Sequence, residues 1–151
     1  MGDKRVIDDF RGEYHFLSNF YGHPFEYKGL TYPNAEAAFQ AQKCRTDDER
    51  IKYTIVKNPV VAKRMGKKEP GFPANWNEIS PGIMKDILKA KFAVPELKEK
   101  LLATGDAELI EGNSWHDNKW GSCTCERCAA KEGANLLGKT LMIIRDEIKA
   151  G

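Results

Sequence analysis

The sequence predicts an α+β fold, mostly helical, in a single domain over residues 1–151, with a small antiparallel sheet near the N-terminus. Three observations lead there. Residues 6 to 32 carry their apolar side chains in short, aromatic-rich runs broken by turn residues. From Asn34 onward, apolar positions recur at three- and four-residue spacing in longer segments. No internal repeat or linker-like stretch divides the 151 residues.

The elements follow in order. Phe16-Leu17-Ser18-Asn19-Phe20 is a short apolar run in which Asn19 is out of place, an amide suited to bonding its own backbone at a bend. Phe25-Glu26-Tyr27 and Leu30-Thr31-Tyr32 flank Lys28-Gly29, which favours a hairpin turn. Asn34 can cap a helix from Ala35 through an alanine-rich run without Gly or Pro. Thr46 or Asp47 can cap a helix to about Lys57, and Pro59 suits the first position of one ending at Gly66, with Val60, Val61 and Met65 facing the core. Residues 67–75 read as a loop.

Ser80 and Pro81 open a helix in which Ile83, Met84, Ile87, Leu88 and Phe92 repeat at helical spacing, with Lys85, Lys89 and Lys91 on other faces. Pro95 starts the next helix, stopped by Thr104-Gly105. Residues 107–111 alternate enough for a short strand. Asn135 can cap a last helix with a broad apolar face built on Leu136, Leu137, Leu141, Met142, Ile144 and Ile148.

Composition narrows the function. With 24 basic and 22 acidic residues and a net charge of +2, the chain has no charge excess that would bind nucleic acid by electrostatics alone. No apolar run is long enough for a bilayer and the first eleven residues lack a signal-peptide core, so a cytoplasmic protein with no membrane partner is expected. Three of four cysteines fall within Cys123 to Cys128, which suits a reducing compartment and metal or structural use better than disulfides.

On the helix after Asn34, Glu36, Gln40 and Lys43 share one stripe, since they are spaced i, i+4, i+7. That stripe is either a solvated face or, because the alanines let neighbours approach closely, the polar lining of a pocket in which burial tunes the carboxylate and the amine. Residues 112–134 form a segment too long for an idle loop, rich in Asn113, Trp115, His116, Asp117, Trp120 and Gly121. Within it, His116, Cys123, Cys125 and Cys128 could complete a four-ligand zinc site, structural because no position is left for water; the bland alternative is three reduced thiols in a turn.

Taken together and in this order, the motifs resemble the NADAR family of YbiA-like N-glycosidases. The likeness is carried by Phe16-Leu17-Ser18-Asn19-Phe20, by Tyr32-Pro33 followed by Glu36, Gln40 and Lys43, by Ala62 to Gly66, and by Asn75-Trp76. It continues through Met84 with Lys91-Phe92, Leu101 to Thr104 with Glu111, Asp117 before Trp120-Gly121, and Gly133 to Lys139 with Arg145. The resemblance implies an enzyme that hydrolyses N-glycosidic bonds to ribose. Family activities include removing ADP-ribose from modified guanine in nucleic acid and hydrolysing an early aminopyrimidine ribosyl phosphate of riboflavin synthesis.

By the same resemblance Glu36 is the functional acid, Trp120 the functional aromatic, Lys43 an amine able to form an imine with the ribose, and Asp117 the acid preceding the aromatic. Lys91 is a substitute amine. Substrate contacts are expected from Ser18, Asn19, Phe20, Gln40, Trp76, Glu111, Gly121, Gly133 and Asn135, with a phosphate resting on the amides at the Asn135 helix start. The cysteine cluster departs from the commoner Gly-rich connection of the family.

The sequence thus predicts an N-glycosidase needing no cofactor for catalysis, most simply a monomer. Its partner would be ADP-ribosylated nucleic acid or a ribosylated small molecule. Two other classes stay open: a reader that binds ADP-ribose or a nucleotide without turnover, and a zinc-stabilised interaction domain presenting Arg127 and Lys131 to nucleic acid.

Overall fold

The computed structural model describes residues 5–128 and 132–151. It forms two compact units, one from residues up to Ser18 together with those from Lys98 onward, the other from Asn19 to Leu97. Lys131 lies outside the described residues. Helix outweighs strand, and the strands are short, as the sequence predicts.

In the Asn19–Leu97 unit, β1 (Val6–Ile7) having preceded in the other, β2 (Phe25–Tyr27) and β3 (Leu30–Tyr32) make the expected antiparallel hairpin with Tyr27 opposite Leu30. Lys28 and Gly29 both take positive φ, +50° and +88°, which is the turn geometry that matches strand twist and explains why a glycine stands there. Helix α1 (Ala35–Ala41) starts where expected, with Asn34 Oδ1 accepting from the Ala37 amide at 2.8 Å.

Thr46 caps only a single turn, α2 (Asp47–Arg50), which passes into a 3-10 segment at Ile51–Ile55. Asn58 caps α3 (Pro59–Lys67). The buried residues of α3 are Ala62 and Gly66; Val60, expected in the core, is 49 % exposed. Small residues face inward because α3 packs on α1: a Cβ at Gly66 would overlap the Gln40 amide.

Helix α4 (Trp76–Lys91) begins four residues before the predicted Ser80. The amides of Glu78 and Ile79 both reach the Asn75 carbonyl, so the first turn forms ahead of Pro81, which sits inside the helix without an N–H to give. Its buried stripe is Trp76, Ser80, Met84, Ile87, Leu88 and Lys91, so Lys91 belongs to the core face and not to the outer faces.

Helix α5 (Pro95–Ala103) leads back to the first unit, and Gly105 ends it at φ +66°. There β4 (Glu108–Leu109) pairs in parallel with β1, and β5 (Gly112–Asn113) in parallel with β6 (Ser122–Cys123). The 112–134 segment therefore has strands of its own. Upstream, Gly12–Leu17 is a 3-10 helix that buries Phe16 and Leu17.

Helix α6 (Leu136–Ala150) buries Leu137, Gly138, Leu141, Ile144 and Arg145. Asn135 does not cap it with its side chain. It adopts left-handed φ +50°, a conformation asparagine tolerates, and its amide instead donates to the Leu109 carbonyl at 2.9 Å and accepts from the Glu111 amide at 2.9 Å. Arg145, deep on the same helix, donates to Thr104 Oγ1 at 2.9 Å.

Two glycines in helices separate packing from propensity. A Cβ at Gly138 would overlap the Leu109 carbonyl, whereas one at Gly82 meets nothing within 4 Å. Gly138→Ala is expected to cost at least about 2 kcal/mol and Gly82→Ala to add up to about 1 kcal/mol, measured as opposite shifts in urea-unfolding midpoint.

Candidate active site

The predicted site residues fall into two constellations, one in each unit. The first is built on α1. Every residue of that helix is buried, so the Glu36–Gln40 stripe is not a solvated face: Glu36 is 7 % exposed and Gln40 5 %. Gln40 Nε2 donates to Glu36 Oε1 at 3.3 Å. The side-chain Oε1 of Gln40, pressed towards Gly66, is buried with no hydrogen-bond partner among the described residues.

Asn19 ties the start of this helix to α4. Its carbonyl accepts from the Glu36 amide at 3.0 Å and its Nδ2 points at Met84 Sδ at 3.5 Å, so the amide does not simply serve its own turn. Its Oδ1 is a second buried oxygen with no partner among the described residues. Two buried side-chain amide oxygens without partners are costly unless a ligand's hydroxyl or amino groups satisfy them. Phe20 stands next in the chain, 37 % exposed.

Lys43 lies just past α1, in the turn where its amide reaches the Gln40 carbonyl at 3.1 Å. Its Nζ donates to the Gly66 carbonyl at 3.4 Å and sits 5.4 Å above the Phe72 ring and 5.7 Å above the Trp76 ring. Trp76 is wedged between Phe39, 5.1 Å away by ring centres, and Phe72, 6.5 Å away and edge-on. Burial lowers the proton affinity of Lys43, against the opposing pull of Glu36 and Glu69, so its amine deprotonates more readily than a surface lysine.

A second amine is more strongly perturbed. Lys91 is fully buried, 5.9 Å from the Tyr21 ring and 5.1 Å from that of Phe92, and burial brings it down to about 7. Expected on an outer face, Lys91 falls four residues after Ile87 and seven after Met84, on the buried stripe of α4. A cleft of about 130 Å³ between the hairpin and Arg50 contains none of the predicted residues.

The second constellation is the 111–135 region. Asp117 Oδ1 accepts from the amides of Lys119 and Trp120 at 3.1 and 2.9 Å, fixing the turn that carries Trp120. Asn113 braces that turn, donating to the Asp117 carbonyl at 2.8 Å and to Glu111 Oε2 at 3.2 Å. Gly121 cannot be replaced by a larger residue, because a Cβ would overlap Glu111. Ser18 follows the 3-10 helix, its amide bonded to the His15 carbonyl.

Gly133 passes so close to Gly121 and Ser122 that a Cβ would collide with their backbone. The amides expected to receive a phosphate have other partners. Those of Ala134, Asn135, Leu136 and Leu137 donate at 2.8–3.1 Å to the carbonyls of Asn118, Gly121, Lys119 and Trp120. In the same loop the ligand atoms of His116, Cys123, Cys125 and Cys128 all lie within 4.8 Å of one another, a group able to hold a metal ion.

A buried carboxylate beside a semi-buried amine, both in the Asn19–Leu97 unit, is equipment suited to acting on a glycosidic bond. Residues 8–149 match the NADAR domain family, and the chain belongs to it. It is 35 % identical over 138 residues to N-glycosidase YbiA of Escherichia coli K12, an alignment covering 90 % of this chain and 82 % of that protein. A riboflavin biosynthesis protein of Vibrio vulnificus is 33 % identical over 138 residues, covering 89 % of this chain and 35 % of that protein. The NMR structure of E. coli YbiA superposes with a TM-score of 0.81 at 32 % identity, covering 99 % of this chain and 88 % of that one.

The buried Lys91 sets a pH dependence of stability. Its folded value, about 7, lies below the ordinary lysine value, so the unfolded chain binds more protons between the two and stability rises with pH across that window. The slope approaches about 1.4 kcal/mol per pH unit. Lys91→Met is expected to flatten it, measured by urea unfolding at several pH values between 6.5 and 9.

Proposed function

We propose that this N-glycosidase-family enzyme removes ADP-ribose from ADP-ribosylated guanine in nucleic acid. The observation that carries the chemistry is the burial of Glu36 on the same stripe as Gln40, two turns before Lys43. Breaking the bond between C1′ and the base nitrogen builds positive charge on the ribose, and a desolvated carboxylate stabilises it. Lys43, more readily neutral than a surface lysine, attacks C1′ while the base leaves with a proton. Ring opening then gives an imine, and water releases the sugar and regenerates the amine.

The remaining roles are assigned by family resemblance. Gln40 and Asn19, with their orphaned oxygens, bind ribose hydroxyls. Trp120 stacks on the base, and Asp117 holds its turn and serves the leaving group. No cofactor is required for these steps. A nucleic-acid substrate is supported by the 111–128 loop, which exposes Trp115 at 52 % and Arg127. Phosphates then meet side chains, because the amides at the start of α6 are engaged. We further propose a cytoplasmic monomer; among the described residues no helix is long and apolar enough to cross a membrane, and all four cysteines are free thiols.

A second reading, favoured by the relative named a riboflavin biosynthesis protein, is hydrolysis of an aminopyrimidine ribosyl phosphate. The two are separated by supplying each substrate to the purified chain. Release of ADP-ribose from modified DNA, with Glu36→Gln lowering the rate by at least about 100-fold, supports the first reading. Turnover of the aminopyrimidine riboside alone supports the second, and binding without turnover of either would make the protein a reader. Borohydride reduction during turnover is expected to add the mass of the reduced sugar adduct to the parent protein and not to Lys43→Ala. An adduct that persists in Lys43→Ala and vanishes in Lys91→Met would move the nucleophile to Lys91.

A further inference from the structure

Three sulfurs converge on one nitrogen in the 111–128 loop. His116 Nδ1 lies 3.3 Å from Cys128 Sγ, 3.3 Å from Cys125 Sγ and 3.8 Å from Cys123 Sγ. An imidazole nitrogen has either one N–H or one lone pair, directed in the ring plane, so it can satisfy one hydrogen-bonding partner and not three. No disulfide relieves the crowding, since all three cysteines are free thiols. Thiols packed for their own sake would turn outward or pair. These instead surround a common centre.

The spacing has a metal's dimensions. With zinc–sulfur bonds of about 2.3 Å and a zinc–nitrogen bond of about 2.05 Å, the sulfur–nitrogen edge of a tetrahedron is about 3.6 Å. The three observed separations, 3.3 to 3.8 Å, bracket it. The backbone is bent to make this arrangement. His116 takes a left-handed φ of +66°, a conformation uncommon outside glycine. Cys123 is held in β6, its amide fastened to Asn118 Oδ1 at 2.8 Å. The amides of His116 and Cys125 point at the Cys123 sulfur from 3.3 and 3.5 Å, as they would toward a ligating thiolate. A tight turn, with the Cys128 amide on the Cys125 carbonyl at 3.0 Å, returns the last sulfur to the centre.

We propose that His116, Cys123, Cys125 and Cys128 bind one zinc ion in a closed structural site. Three sulfurs and one imidazole suit zinc and not magnesium or calcium, which take oxygen ligands. Four protein ligands leave no open position, so the ion performs no hydrolysis. Its effect is mechanical. His116 immediately precedes Asp117 and Cys123 follows Ser122, so the ion joins the two ends of the turn that Asp117 fixes and that carries Trp120. The site stands whether or not the glycosidase reading holds.

The test uses the full chain and the metal alone. Elemental analysis of protein purified without added metal is expected to give one zinc per chain. Cobalt(II) added to the stripped protein is expected to give the intense visible bands of tetrahedral cobalt and a thiolate charge-transfer band in the near ultraviolet. His116 is exposed, so His116→Ala should fold; it should weaken zinc binding by more than about 100-fold and shift the cobalt bands, while Cys125→Ser should lose one thiolate's charge-transfer intensity. Substoichiometric zinc together with a weak, octahedral cobalt spectrum in the unmodified protein would overturn the proposal, as would unchanged affinity and spectra in both variants.

Discussion

Helix α1 has no surface of its own. It is touched by β3, by the 3-10 segment at Ile51–Ile55, by α3 and by α4, and all seven of its residues are buried. Only a helix with alanine at positions 35, 37, 38 and 41 can be approached so closely on so many sides. The site in this unit depends on that constraint. Where neighbouring backbones come this near, a side chain larger than alanine occupies space a neighbour must give up, and Gly66 gives it up for Gln40. The carboxylate and amide on α1 are thereby held without solvent, in a setting where charge interactions are stronger than in water and polar groups must be satisfied. Building the acid into the most enclosed element fixes its rotamer and raises the cost of leaving it without a ligand.

The two amines of the same unit show how differently one residue type is tuned by depth. Lys43 keeps a backbone carbonyl, two aromatic faces and the pull of Glu36, and stays half-buried. Lys91 lies on the core stripe of α4, where burial dominates and brings it close to neutrality. An imine-forming amine must be neutral and must also be reachable by the sugar carbon. Lys43 is more exposed and less shifted, Lys91 more shifted and enclosed, so access and basicity are divided between them.

Much of the fold was legible because local chemistry dictates it. Lys28-Gly29 favoured a hairpin turn, and Asn34 and Pro59 announced helices that begin within a residue of them. What escaped was decided by partners distant in sequence. Pro81 marked a helix start by its own preference, yet Asn75 supplies the carbonyl that starts the helix earlier. Asn135 carries a capping side chain that Leu109 and Glu111 claim instead. The alternation of 107–111 announced β4, but its partner β1 and the pair β5 and β6 are two residues long, too short to leave such a pattern. The polar stripe of α1 could be read from spacing, but whether it faced water depended on α3 and α4. Lys91 was hidden by residue type: charge argued for the surface, while its spacing from Met84 and Ile87 placed it inside.

The start of α6 binds the 118–121 segment by four hydrogen bonds that are main chain on both sides. Such bonds are indifferent to which residues carry them. The segment's path is thus inherited through the backbone, with side-chain identity demanded mainly at Gly121, where there is no room, and at Asn118, whose amide oxygen holds Cys123. Between those two, the main chain at 119 and 120 is held on both sides, its amides by Asp117 Oδ1 and its carbonyls by the amides of α6. The loop's course is thus set by a clasp of main chain on main chain, and the surface it presents can differ between relatives while that clasp stays the same.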